Sequence, residues 1–267
     1  MPNRGSQRIE WIDNLKLVAG ILMLVDHSAV FLGGIPDWVR VYATRCVEPL
    51  YAFVFFYLLA QRCSPMGSAR YVVLATAAAA ECIILSRHYG TLTLGILASL
   101  VVTAPIFEAV REKGIGIRLA IVSVAGFLSA FPFGVRDVIV IDYGVPLLLG
   151  QGLIAASVAV LRTGMIRLFL FQFAGLLIGI CVVRIGELDL SPSCLTVLVG
   201  QPVAVTLILV LRGIHLGRPI GLAARIIVGH PLIFYIGHLA LLAAVARAYP
   251  ILVEIMSTVT WEIGPAS

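Results

Sequence analysis

Charge is what this chain has least of. Asp, Glu, Lys and Arg make up 12% of its 267 residues, about half the share of roughly 25% usual in soluble domains. Hydrophobic residues supply 60% and the mean hydropathy is +1.04, so water is excluded as the main solvent for the chain. Cysteine is scarce as well. Cys46, Cys63, Cys82, Cys181 and Cys194 are odd in number and form no CxxC pair, which implies neither a disulfide framework nor a cysteine metal site; they read as small packing residues. His27, His88, His215, His230 and His238 lack ligand spacing such as HExxH, so no metal is expected. A GxSxG turn, a P-loop and a Gly-rich dinucleotide turn are missing too, which leaves the familiar soluble chemistries without support. The net charge of +5 comes from basic residues placed singly or in pairs between apolar runs. With no continuous basic stripe and no interleaved aromatics, that charge reads as a membrane-topology signal, and nucleic acid is not an expected partner.

What is there is a succession of apolar runs, near residues 11–33, 46–60, 71–86, 91–110, 118–132, 138–161, 167–184, 194–211 and 226–248. A bilayer core about 30 Å thick needs roughly 20 apolar residues per helix. The expected fold is therefore an all-α, polytopic transmembrane helix bundle of about nine spans, with a possible tenth and no room for a second domain. Residues 1–248 form its single domain; residues 249–267, with Glu254, Glu262 and Pro265, read as an interfacial tail or short helix. The run 46–60 is short and is expected to begin near Tyr42, and Pro146 is placed to kink the run 138–161. The first run follows Arg4 and Arg8 as a secretory signal would. Asp13, Lys16, Asp26 and His27 lie within or beside it and no small-residue cleavage site follows, so a retained first helix is expected.

With the N-terminus in the cytoplasm, the inner segments carry Arg4, Arg8, Arg62, Arg70, Arg111, Lys113, Arg118, Arg162, Arg167, Arg212, Arg218 and Arg225. The outer segments carry half as many: Arg40, Arg45, Arg87, Arg136, Arg184 and Arg247, together with the loop acids Asp37, Asp137, Glu187 and Asp189. The positive-inside rule then predicts a cytoplasmic N-terminus and an external C-terminus in a multi-pass protein of the inner (plasma) membrane. No internal inverted repeat is visible, which weakens a secondary-transporter reading.

Ionisable side chains inside a bilayer cost at least ~2.5 kcal/mol each on insertion scales, so each is a functional candidate to be weighed against snorkelling. Trp11, Asp13 and Lys16 stand where the first helix enters the membrane. Asp26 and His27 lie about 24 Å further along it, where a carboxylate and an imidazole supply a general base, or where Asp26 simply binds Arg45. Arg45, beside Thr44 and Glu48 at the mouth of the second helix, suits an anionic ligand or interfacial anchoring. Glu81, among Ala77–Ala80, needs a partner that the sequence does not name. Asp142 and Tyr143, before Gly144, either face a cavity or start a helix. His230 before Pro231 reads as a capping or interface residue, while Tyr235 and His238 share one face of the last helix as a proton relay or cavity wall.

Asp13-Asn14-Leu15-Lys16-Leu17-Val18-Ala19 followed by Met23-Leu24-Val25-Asp26-His27 resembles the opening helix of the TraX family, named for the acetylase of conjugative pilin. It is also similar to the opening helix of related membrane acyltransferases, including the heparan-glucosaminide N-acetyltransferase group. Arg45–Phe55 with Pro49 resembles their second helix, Asp142-Tyr143-Gly144 a recurring mid-chain motif, and His230–Leu241 their closing Phe-Tyr-x-x-His-Leu signature. The resemblance follows the same order along most of the chain, with residues 86–135 and 155–225 matching only as generic apolar helix. It implies an acetyl-CoA-dependent acyltransferase that takes its donor from the cytoplasm and serves an acceptor protein or glycan within the lipid. By the same resemblance His27 would be the general base or an acyl carrier, with Asp26 orienting it. Arg45 would neutralise a phosphate or an oxyanion, Asp142, Tyr143, Tyr235 and His238 would line the cavity, and Lys16 would meet the donor's phosphates. The rival readings are a proton-coupled transporter using Asp26, His27, Glu81 and His238, and a non-catalytic assembly subunit.

Overall fold

The computed structural model describes residues 10–262 apart from 35, 37, 40–43, 62–64, 132–133, 136–138, 142–144, 159–161, 187–193, 195 and 214–220. Asp142 and Tyr143 lie outside the described residues, as does Tyr42. Among the described residues the chain forms ten α-helices: α1 Glu10–Leu32, α2 Val47–Ala60, α3 Ser68–Tyr89, α4 Ile96–Val110, α5 Ile115–Leu128, α6 Val145–Val158, α7 Arg162–Ile185, α8 Gln201–Gly213, α9 Leu222–Gly229 and α10 Pro231–Glu262. A π-helical turn, Thr196–Gly200, leads into α8.

Helix ends follow local chemistry. Glu10 and Asp13 occupy the first turn of α1, where carboxylates favour the positive end of the helix dipole. Gly33 and Gly34, both at positive φ, stop its other end. Each of the nine apolar runs contains helix. Four helical stretches are long and apolar enough to cross a membrane: Glu10–Leu32, Ser68–Tyr89, Met165–Ile185 and Pro231–Ile251. Five shorter apolar helices accompany them, Val47–Ala60, Ile96–Val110, Ile115–Leu128, Pro146–Ala156 and Thr196–Arg212. Large apolar side chains such as Ile21, Val72, Leu170, Ile178 and Leu241 face outward, as suits a protein solvated by lipid.

Four expectations are corrected. The fold is not wholly helical: β1 Leu92–Leu94, β2 Gly134–Val135 and β3 Ile139–Ile141 make a small sheet in the order β1-β3-β2. In it Thr93 is in register with Val140 in a parallel pair, and Gly134 with Val140 in an antiparallel one. The β-branched residues Ile139–Ile141 satisfy apolar content as a strand as readily as a helix, and apolar content alone does not separate the two. Secondly, Pro146 does not kink a helix. It is the second residue of α6, where its missing N–H costs nothing. Thirdly, the run 226–248 is two helices, because His230 takes a non-helical conformation (φ −134°, ψ 59°) before Pro231. Finally, α10 continues past residue 248 to Glu262 with Pro250 inside it, so the tail is helical in continuity with the bundle.

α1 is central, packing against α2, α8, α9 and α10, while α3 packs against α4 and α10. Across the bundle α5 and α7 approach closely at glycine. A Cβ on Gly126 or Gly175 would overlap the facing backbone carbonyl of Gln172 or Ser123, so only glycine permits this spacing.

Candidate active site

His27 and His238 meet at the heart of the α1–α10 interface. His27 Nδ1 and His238 Nε2 are 2.6 Å apart, and the rings stack with centroids 4.9 Å apart at an interplanar angle of 15°. The tautomers follow from one further bond. His238 Nδ1 lies 2.8 Å from the Phe234 carbonyl oxygen, one turn back along α10. A carbonyl only accepts, so His238 Nδ1 carries a hydrogen, and in the neutral ring its Nε2 is an acceptor. His27 Nδ1 then donates, which puts the basic lone pair of a neutral His27 on Nε2.

The neighbouring charges are held by residues from other parts of the chain. Thr44 Oγ1 donates to Asp26 Oδ1 at 2.6 Å. Glu81, fully buried on α3, accepts the Leu97 N–H at 2.9 Å and the hydroxyl of Tyr235, which supplies the partners its sequence setting demanded. Tyr235 stands edge-on to both histidines, with ring centroids 5.8 Å from His27 and 5.8 Å from His238.

Two hollows meet at this cluster. The larger, of about 500 Å³, has a mainly apolar wall including Ala19, Met23, Val54, Leu74 and Leu100. The smaller, of about 70 Å³, is bounded by Glu81, Tyr89 and Gly95. Asp26, His27, Arg45 and Tyr235 line both. Lys16 and Arg70 also line the larger one, and the numbering places them at matching depth. Lys16 precedes His27 by eleven residues on α1 and Arg70 precedes Glu81 by eleven on α3, so each lies ~16 Å along its helix from the cluster. Lys16 Nζ bonds Asp13 Oδ1 at 3.2 Å and the Val228 carbonyl at 3.5 Å. Between the ends, the buried Tyr51 hydroxyl finds no hydrogen-bond partner among the described residues; a Cβ on Gly20 would lie 3.5 Å from it.

Of the sequence candidates, Asp26, His27, Arg45, Tyr235 and His238 converge and Lys16 lies at the far end of the same cavity. His230 caps α9 through its N–H to the Ile226 carbonyl. Arg70, Tyr51 and Glu48 were not singled out as site residues, yet they line the larger cavity. The signal for Glu48 was present, a carboxylate in the first turn of an otherwise apolar helix. No protein-family model, curated protein or solved structure matches this chain.

Proposed function

We propose that this chain is a membrane-embedded, TraX-like acyltransferase that moves an acetyl group from cytoplasmic acetyl-CoA to an amine or hydroxyl acceptor, a pilin N-terminus or a sugar. One observation carries the reading: a single cavity joins two cations, Lys16 and Arg70, to His27 ~16 Å away, with the Tyr51 hydroxyl between them and His238 bonded to His27 from behind the cavity wall. Acetyl-CoA has the matching order of groups. Its phosphates meet Lys16 and Arg70, an amide of its pantetheine arm meets Tyr51, and its thioester arrives at His27.

Transfer then follows from the tautomers. His27 Nε2 takes the proton of the acceptor as the acceptor's nitrogen or oxygen bonds to the thioester carbonyl carbon. Arg45 stabilises the oxyanion; the carbon–sulfur bond breaks, and the proton passes from His27 to the departing thiolate, giving free CoA and the acetylated acceptor. His238 holds the ring in the required orientation and Asp26 balances the transient imidazolium.

We place the protein in the inner (plasma) membrane as nine spans, the five shorter apolar helices completing the four long ones, with the N-terminus in the cytoplasm. The test is an intact-mass and glycan comparison of envelope material from cells with and without the protein. One pilin or surface polymer lacking its acetyl group in the deleted cells is the expected result. Identical acetylation, with solute flux through the purified protein in liposomes, would instead favour a proton-coupled transporter built on the same residues.

A further inference from the structure

Glu81 is the most deeply buried charge among the described residues, and the transfer chemistry leaves it unused. It has 0% exposure among the alanines of α3, where an ionisable group costs at least ~2.5 kcal/mol. The chain builds a seat for it. Gly90, left-handed at φ 74°, turns the chain from α3 into β1, and Gly95 then starts α4 so that the Leu97 N–H reaches Glu81 Oε2 at 2.9 Å. A Cβ at Gly95 would overlap the Glu81 carboxylate, so the seat is cut to this side chain. The other carboxylate oxygen accepts the Tyr235 hydroxyl. One step further, the Tyr235 ring is edge-on to both members of the histidine pair. Glu81 on α3 is thereby connected through α10 to His27 on α1.

We propose that Glu81 is a positioning residue for the transfer: by holding the Tyr235 hydroxyl it fixes the ring wedged against His27 and His238, and so fixes where His27 Nε2 points. This role rests on the acyltransferase reading. It differs from simple helix adhesion, because adhesion changes how much protein folds, whereas positioning changes the rate of the bound complex. A displacement of about 1 Å at a reacting group costs on the order of a hundredfold in rate.

The experiment uses the full chain in lipid nanodiscs, with labelled acetyl-CoA as donor and an envelope extract as acceptor. Glu81→Ala and Tyr235→Phe are each expected to lower kcat by ~10–100-fold while KM for acetyl-CoA stays within about twofold. Glu81→Gln, whose amide oxygen takes the Leu97 N–H while its NH2 donates to the Tyr235 oxygen, keeps the link and recovers most of the rate. The double variant Glu81→Ala/Tyr235→Phe is no slower than the slower single variant, since both remove one coupled device. Wild-type kcat in folded Tyr235→Phe, or losses that multiply in the double variant, overturns the positioning role alone. No transfer by the wild-type chain overturns the acyltransferase reading, and this role with it.

Discussion

A histidine held through Nδ1 is a base of defined direction, and here the direction is set by a backbone carbonyl. Phe234 accepts from His238, His238 accepts from His27, and the lone pair of His27 is left on Nε2. His238→Ala removes the link that orients His27 but no contact to the donor; kcat falling by ~10–100-fold with KM for acetyl-CoA unchanged is the expected steady-state result. The proposed donor end has its own test. Charge-assisted hydrogen bonds contribute ~1.5–3 kcal/mol, so Lys16→Ala and Arg70→Ala should each weaken acetyl-CoA binding by about tenfold or more, and Tyr51→Phe by less, in equilibrium dialysis of the detergent-purified protein. At this scale the sequence was informative wherever a charge interrupts an apolar run: Asp26, His27 and Glu81 stood out because lipid makes them expensive. Arg70 did not, since it satisfies the positive-inside rule, and Tyr51 did not, since a tyrosine in an apolar helix asks for no explanation. The partnership of Glu81 with Tyr235 joins residues 154 positions apart, a separation no local pattern encodes.

Helices in lipid gain little from the hydrophobic effect and pack through small residues instead. The α5–α7 contact depends on Gly126 and Gly175, each set against a facing carbonyl. Gly175→Val should destabilise the bundle by at least ~1–3 kcal/mol through overpacking, read as a lower unfolding midpoint in detergent, while an outward change such as Ile178→Val leaves it nearly unchanged. A polar contact reinforces the neighbouring region: Gln201 Nε2 donates to Gln172 Oε1 at 2.6 Å, joining α8 to α7. Every apolar run in the sequence carries helix because a backbone in lipid must satisfy itself internally. What apolar content left open were the breaks. Ile139–Ile141 pairs with Leu92–Leu94 as a strand, Pro146 begins a helix, and His230 ends one, each decided by a neighbour in space or by the geometry of a single peptide unit.

Over the whole molecule, two hollows of unequal size and character share one wall made by Asp26, His27, Arg45 and Tyr235. The larger runs toward Lys16 and Arg70, and the smaller adjoins Tyr89 at the far end of α3. Under the proposed orientation the first faces the cytoplasm and the second the outside, so donor and acceptor approach His27 from opposite sides. The proposed nine spans require the two termini on opposite sides, so reporter fusions should locate the N-terminus inside and the C-terminus outside; both ends on one side would rule out nine spans. The reaction itself gives the most direct test. Purified protein in nanodiscs, supplied with labelled acetyl-CoA and envelope extract, should transfer label to the extract, and His27→Ala, folded and still binding acetyl-CoA, should lose at least ~100-fold of that rate. Full transfer by His27→Ala would contradict the account.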